Sequence, residues 1–313
     1  MALESGTYIK DLVSTNPPGT DAISQGDDHL RLIKSTIQAS FPSNTNAPTV
    51  PDIAGNGNKF LQVNSGATAT AWIAVRTAGS LNRATFAYKD ADEIYIGAGE
   101  YDLDGTTTAA YSWDSQLTFQ IGSGGSNAAS SAAGTSQWQY LYMDDSVISA
   151  SPLVAASFLN ATTAPTYNQS KHGWYNGSDR CIFAFYIDSS GNIEKWFHDG
   201  GDYVMLSDDY NNGGTTASVS YAAITIMMPS FVNKAECNVY IDGQIATARS
   251  YQYWRVTGSD GEHLLGRIED DDAEYVVNNV TIYTDSSNQI DILNNTAPNV
   301  KPYTAGWYIP GGM

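Results

Sequence analysis

Arg180-Cys-Ile-Phe-Ala-Phe-Tyr-Ile-Asp-Ser-Ser-Gly-Asn-Ile-Glu-Lys-Trp-Phe-His198 is the stretch that decides the fold class. Aromatic and β-branched residues crowd two short runs, 180–187 and 193–198, and such residues suit extended backbone. Between them, Asp188-Ser-Ser-Gly-Asn192 reads as a compact hairpin loop, with Gly191 where a positive φ is needed. The pair is antiparallel, and the surrounding chain repeats the theme.

On the N-terminal side, 93–96, 116–121 and 138–143 read as strands. Residues 123–136 are small and loop-like, and are expected to be mobile. Residues 149–158 fit either a short helix or another strand. Asn211-Asn-Gly-Gly-Thr-Thr216 is the strongest boundary signal in the body. Beyond it, 222–228, 235–241, 251–256, 264–268, 275–283 and 290–293 read as further strands, a density that suits a β-sandwich. The closing Ala305-Gly-Trp-Tyr-Ile-Pro-Gly-Gly-Met313 carries aromatics able to dock back on the body. The chain is therefore expected to be mainly β, with two antiparallel sandwich-like domains (jelly-roll or immunoglobulin-like) at 81–210 and 211–313. No fixed-period repeat marks a solenoid or propeller.

Ahead of this body lies a different kind of sequence. Residues 1–42 combine an extended Pro/Gly arm, which includes Tyr8, Ile9 and Leu12, with one short helix at 25–40. Ser24 is a good N-cap, and Asp27 three residues on makes a weak capping box. Asp27 and Asp28 suit the positive end of the helix dipole, and Pro42 stops the helix. Leu30, Ile33, Ile37 and Phe41 form one apolar stripe. No core in this segment receives the stripe, so it is expected to order against a partner. Residues 43–80 connect: a linker over 43–58, then a β-hairpin with Trp72 on its second strand.

The formal charge of the 313-residue chain is −18, distributed as −2 over 1–42, +1 over 43–80, −11 over 81–209 and −6 over 210–313. No basic stripe exists to release counterions from nucleic acid or to meet an anionic lipid surface. No apolar run approaches a membrane-spanning length, and no secretory leader is visible, so assembly in a cytoplasm is expected. Cys181 and Cys237 are too few for a disulfide framework, and their apolar flanks predict buried free thiols.

Candidate chemistry is sparse. Asp27-Asp28, Asp144-Asp145, Asp208-Asp209 and Glu269-Asp-Asp-Asp272 are acidic groups, but neighbours on a strand face opposite ways and cannot flank a sugar as a hydrolytic pair. They read as turns and strand ends. Glu269-Asp-Asp-Asp272 lacks the spacing of an EF-hand calcium loop. The four histidines are far apart, and His198-Asp-Gly-Gly-Asp-Tyr203 reads as a hairpin turn. No nucleophile elbow, phosphate loop or dinucleotide fingerprint occurs. The expectation is a protein with no catalytic residues, no metal and no cofactor. Twenty Tyr and seven Trp are in excess, and exposed aromatics stack on sugars and anchor interfaces. Candidates for receptor or glycan contact are Trp138, Tyr140, Trp174, Tyr175, Tyr253 and Trp254. The competing reading is an aromatic β-core.

The segment Tyr8-Ile-x-Asp-Leu-Val-x-Thr-Asn-Pro … Ser24-Gln-x-Asp-Asp-His-Leu-Arg-Leu-Ile-Lys-Ser … Phe41-Pro resembles the N-terminal segment of tailed-bacteriophage virion proteins, chiefly tail fibres and related appendages. A looser likeness follows in Asn58-Lys-Phe-Leu-Gln-Val-Asn-Ser-Gly-Ala-Thr-Ala-Thr-Ala-Trp72, which looks like a connector behind a fibre anchor. The likeness implies a homotrimer within a virion. Tyr8, Ile9, Leu12, Asp27, Asp28, His29, Leu30, Ile33, Ile37 and Phe41 would bind tail, adaptor or portal-proximal proteins, or other copies of the chain. The β-body would then face a host receptor or polysaccharide. The chain is short for a full fibre and has no coiled-coil heptads for a shaft. A glycan-degrading spike, and a head fibre, collar or adaptor without receptor contact, are the alternatives.

Overall fold

The computed structural model describes residues 26–40, 59–63, 70–74, 80–104, 110–198, 200–213, 218–243, 250–268, 274–294 and 299–313. Strands dominate it, and every strand pairing among the described residues is antiparallel. The chain divides into two units, Met1–Val75 and Arg76–Met313.

In the first unit the helix spans Gly26–Ser40, within a residue of the expected bounds. Leu30, Ile33 and Ile37 stand 57%, 41% and 41% exposed, while His29 and Thr36 are buried. The apolar stripe thus points outward, the reverse of a helix laid on its own core. The expected hairpin is present: Lys59–Val63 pairs with Thr70–Ala74, setting Leu61 opposite Trp72. Tyr8, Ile9, Leu12, Ser24, Phe41, the side chain of Asp27 and the linker at 43–58 lie outside the described residues.

Among the described residues the second unit holds five sheets. The first runs Phe158–Ala161, Gln137–Met143, Asp179–Ile187, Gly173–Asn176, Thr166–Asn168 in spatial order. The second runs Trp196–His198, Tyr203–Asn211, Asn299–Tyr308, Lys234–Gly243, Glu274–Tyr283. A third contains Ser218–Thr225, Gln289–Asn294, Ser250–Val256 and His263–Ile268. Two three-stranded sheets come from the region between Ser80 and Gln120.

The turn after Asp179–Ile187 forms as expected. Gly191 has φ 85°, Asp188 N–H donates to Asn192 O at 2.8 Å, and Ile187 bridges Ile193. The return run then departs from the expected hairpin. After Glu194 it leaves the first sheet, and Trp196–His198 joins the second beside Tyr203–Asn211. Trp196 is buried there against Phe183 and Phe185, with ring centroids 5.4 and 6.2 Å away.

The division expected at 210/211 does not separate two cores. Tyr203–Asn211 pairs with Asn299–Tyr308, so the second sheet draws strands from both sides of that boundary. Asn212 donates from Nδ2 to Pro302 O at 3.1 Å and to Thr304 Oγ1 at 2.9 Å, fastening the turn onto the sheet. Phe86, Phe183, Trp196 and Trp307 belong to one continuous cluster reaching from Ala84 to Met313. The boundary is a turn inside one body.

Residues 123–136 lack helix and strand, as expected, but they are tied down rather than loose. Asn160, fully buried, donates from Nδ2 to Ser131 O at 2.9 Å and to Gln139 Oε1 at 3.0 Å. Its Oδ1 accepts from Gly122 N–H at 3.0 Å, and Gln139 Nε2 donates to Ala132 O and Ala133 O. In low dielectric such a satisfied network fixes the loop's path. Residues 149–158 resolve into a 3₁₀ turn, Ala155–Ser157, running into the Phe158–Ala161 strand.

Candidate ligand-binding clefts

Three of the aromatics proposed for contact are core residues. Tyr140, Tyr175 and Trp254 are 3%, 3% and 4% exposed, so they are corrected from contact positions to packing ones. Tyr140 lies in Gln137–Met143, where five consecutive residues are buried, so both faces of the strand are covered. Tyr175 gives its hydroxyl oxygen to Arg180 Nη1 at 2.9 Å. Trp254 stacks on His263 at 4.8 Å. Tyr253 is half-buried beside Tyr251 and lines none of the depressions described below. Trp138 and Trp174 are half-buried, and each walls a cleft.

The first cleft, about 560 Å³, lies between Trp174 and the 230–233 turn. Met228 and Val232 are buried and anchor that turn, and Val232 N–H donates to Pro229 O at 2.9 Å. Phe231 is thereby held over the sheet, its ring 5.0 Å from Trp174 and 5.6 Å from Tyr140. Ser230 Oγ meets Tyr140 Oη at 3.2 Å. Trp174 is fixed from two sides. Tyr167 meets it edge-on at 5.4 Å, and its indole N–H donates to Gly311 O at 3.0 Å. The two carbonyls after Gly311 are held as well: Arg180 Nη2 donates to Gly312 O at 2.7 Å and Arg83 Nε to Met313 O at 3.1 Å. The expected docking of the closing segment is realised by those three grips.

The second cleft, about 590 Å³, shares Ser230 with the first and is walled by Trp138, Tyr210 and Met227. Trp138 sits edge-on to Trp307 at 6.0 Å and to Tyr186 at 5.4 Å. One turn serves both clefts. Asp285 Oδ1 accepts from Ser287 N–H at 2.9 Å and Gln289 N–H at 2.7 Å, and Asn288 closes the turn at φ 58°. Thr284 lines the first cleft and Asn288 the second. Phe231, Thr284 and Asn288 escaped the sequence reading; an aromatic inside Pro229-Ser-Phe231, a turn where solvent-facing polar residues are usual, was the available signal.

Elsewhere the chemistry is muted. Burial pushes the Cys181 thiol well up and that of Cys237 up to about 12, so neither offers a thiolate. Both are free and buried, as expected. His198 accepts Phe86 N–H at Nδ1 (3.1 Å) and sits 3.1 Å from Gly201 O through Nε2, so both ring nitrogens hold backbone. Asp90, Asp92 and Glu93 gather carboxylate oxygens within 4.8 Å of one another, and Lys89 pairs with Asp90 and Glu93. Glu269-Asp-Asp-Asp272 lies outside the described residues.

A third depression, about 310 Å³, is acidic, with Asp188, Glu194 and Asp208 beside Lys195. Burial raises the Glu194 carboxyl above the usual range, helped by the charges of Asp188 and Asp208. Asp188 is lowered, chiefly by the Asn192 N–H. Among the described residues Asp285 is the sole carboxylate lining the two aromatic clefts.

No protein-family model matches the chain, and no curated protein sequence matches it. Among solved structures, one titled "Structure of infectious bursal disease virus Gx strain" aligns over 77% of this chain and 70% of its own, at 10% identity and a TM-score of 0.17. No helix among the described residues is long and apolar enough to cross a membrane.

Proposed function

We propose that this chain is a structural virion protein of a tailed bacteriophage, a short fibre that its first 42 residues anchor and whose β-body attaches to a host surface glycan. The observation that carries the reading is the outward stripe of Leu30, Ile33 and Ile37, 57%, 41% and 41% exposed, on a helix that lies inside the phage-like segment. A 15-residue helix is marginal in water by itself. An uncovered apolar stripe on it therefore calls for a cover, supplied by virion proteins and by two further copies of the chain in a homotrimer. The body supplies the attachment half. Among the described residues its aromatic-walled clefts offer one carboxylate, Asp285, whereas cleavage of a glycosidic bond by the usual route needs two. We read the body as binding its target without cleaving it.

Deleting residues 1–42 leaves a soluble, folded body that no longer joins particles, measured by complementing a phage that lacks the protein. Incorporation of the truncated chain at the full-length level would show that the anchor lies elsewhere.

A further inference from the structure

A sheet edge presents a row of unpaired backbone N–H and C=O groups, and proteins guard it by shortness, bulges, charge or proline. Among the described residues, the edges of the three larger sheets are guarded in these ways, with one exception. In the first sheet the edge strands Phe158–Ala161 and Thr166–Asn168 are four and three residues long, and Trp196–His198 on one flank of the second is three. In the third, the pairing of Ser218–Thr225 shifts register between Ser218 and Ala222, and that of His263–Ile268 shifts where its partner passes from Gln252 to Tyr253. Glu274–Tyr283, the other flank of the second sheet, has none of these devices. It runs ten residues, pairs with Lys234–Gly243 in an unbroken register, and contains no proline, lysine or arginine.

The strand is also incompletely covered. Ala235, Cys237, Val239 and Ile241 of the neighbouring strand are buried; of their cross-strand partners only Ile282 is, while Val276, Asn278 and Val280 are half-buried. On the outer face Val277 and Tyr283 are 47% and 49% exposed. A further strand would bury apolar surface on both faces and complete the open ladder. The sequence says whose strand. Tyr275-Val-Val-Asn-Asn-Val-Thr-Ile-Tyr283 reads nearly alike in both directions about Asn279. Laid antiparallel on its own copy, it sets Tyr275 opposite Tyr283, Val276 opposite Ile282, Val277 opposite Thr281 and Asn279 opposite itself. A two-fold axis demands a register centred on one residue, because successive pairs of an antiparallel ladder alternate between two hydrogen-bond spacings. Charge agrees: these nine residues carry none, in a chain of −18 whose other surfaces repel a second copy.

We propose that Glu274–Tyr283 is a self-association edge, which pairs antiparallel with the same strand of a second copy across a two-fold axis at Asn279 and joins two five-stranded sheets into one. This contact lies apart from the anchoring segment and goes beyond the attachment reading. Three copies about one axis cannot all make a two-fold contact, so in a trimeric fibre the edge links one trimer to the next.

The test places single cysteines in the full chain and treats it with a short bismaleimide linker; Cys181 and Cys237 are buried and stay silent. Directly opposed residues of an antiparallel pair have Cβ atoms about 5 Å apart. Val277 and its own copy, offset by four residues, would lie about 13 Å apart. Asn279→Cys therefore gives a linked dimer and Val277→Cys does not, although both positions are exposed. Mixed Val277→Cys and Thr281→Cys chains link to each other, while neither links to itself. Asn279→Lys sets two ammonium groups face to face and abolishes the rise of the parent's sedimentation coefficient with concentration. Melting midpoints near the parent's show that each variant is folded. Absence of linking at 279, equal linking at 277 and 279, failure of the mixed chains to link, or unaltered sedimentation of Asn279→Lys overturns the edge assignment. None of these results touches the N-terminal anchor, which the particle-complementation experiment tests separately.

Discussion

Asp188 and Glu194 sit six positions apart around one turn, and their surroundings drive them in opposite directions. Asn192 and Ser190 N–H groups hold Asp188 ionised, so its folded pKa is depressed and its contribution is present above the usual carboxylate range and lost in acid. Glu194 is raised by burial and by two neighbouring carboxylates, so it costs stability once pH climbs past the usual carboxylate range. At pH 7, Asp188→Asn should therefore lower the melting temperature and Glu194→Gln should raise it. The Glu194→Gln difference shrinks as pH falls through the usual carboxylate range, whereas the Asp188→Asn difference fades only at lower pH still, as Asp188 is protonated in the folded state. Melting curves of the two variants from pH 3 to 8 decide this; effects of equal sign, or differences independent of pH, would contradict it. At this scale the sequence disclosed the turn, because Gly191 and Asp188 are local signals. It did not disclose which aromatics are exposed. Tyr140 and Tyr175 lie on strands whose neighbours above and below are set by distant segments, and Gln137–Met143 lost its alternation because both of its faces are covered.

Among elements, the helix and the connector hairpin were legible because each carries its own punctuation. Asn299–Tyr308 was not recognised as a strand, for a physical reason. Pro302 lies opposite Val239 in a strand with neighbours on both sides, a place where proline's missing N–H normally argues against sheet. Gly306 adds a second discouraging signal, yet it is required. A Cβ there would lie 2.4 Å from Val204 O and 2.5 Å from the Tyr203 hydroxyl. Gly306→Ala should cost about 1–3 kcal/mol through overpacking of two strands. Denaturant unfolding measures it, and an unchanged midpoint would mean that the strands part freely at this point. Trp196–His198 misled in the opposite way: its residues are good strand formers, but sequence does not state which sheet a strand joins.

The body from Arg76 to Met313 should melt as one cooperative unit, because its second sheet takes strands from both sides of 210/211. Calorimetry should show a single transition, and fragments 81–210 and 211–313 expressed apart should fail to give one each. Two resolved transitions in the intact body would restore the two-domain division. The Asn211–Thr216 run looked like a domain boundary because turn chemistry is the same within a domain as between domains. Only long-range pairing distinguishes them, and that information is spread over nearly a hundred residues.

The three consecutive carbonyls held by Trp174, Arg180 and Arg83 have a thermodynamic consequence for recognition. Immobilising a flexible side chain at an interface costs about 0.5–1.5 kcal/mol of entropy. The Trp174 ring, tied through its indole N–H and braced by Tyr167, surrenders that freedom when the chain folds and not when a ligand arrives. Any ligand on this wall would meet a surface already set, with Arg180, which lines neither cleft, holding the next carbonyl from beneath.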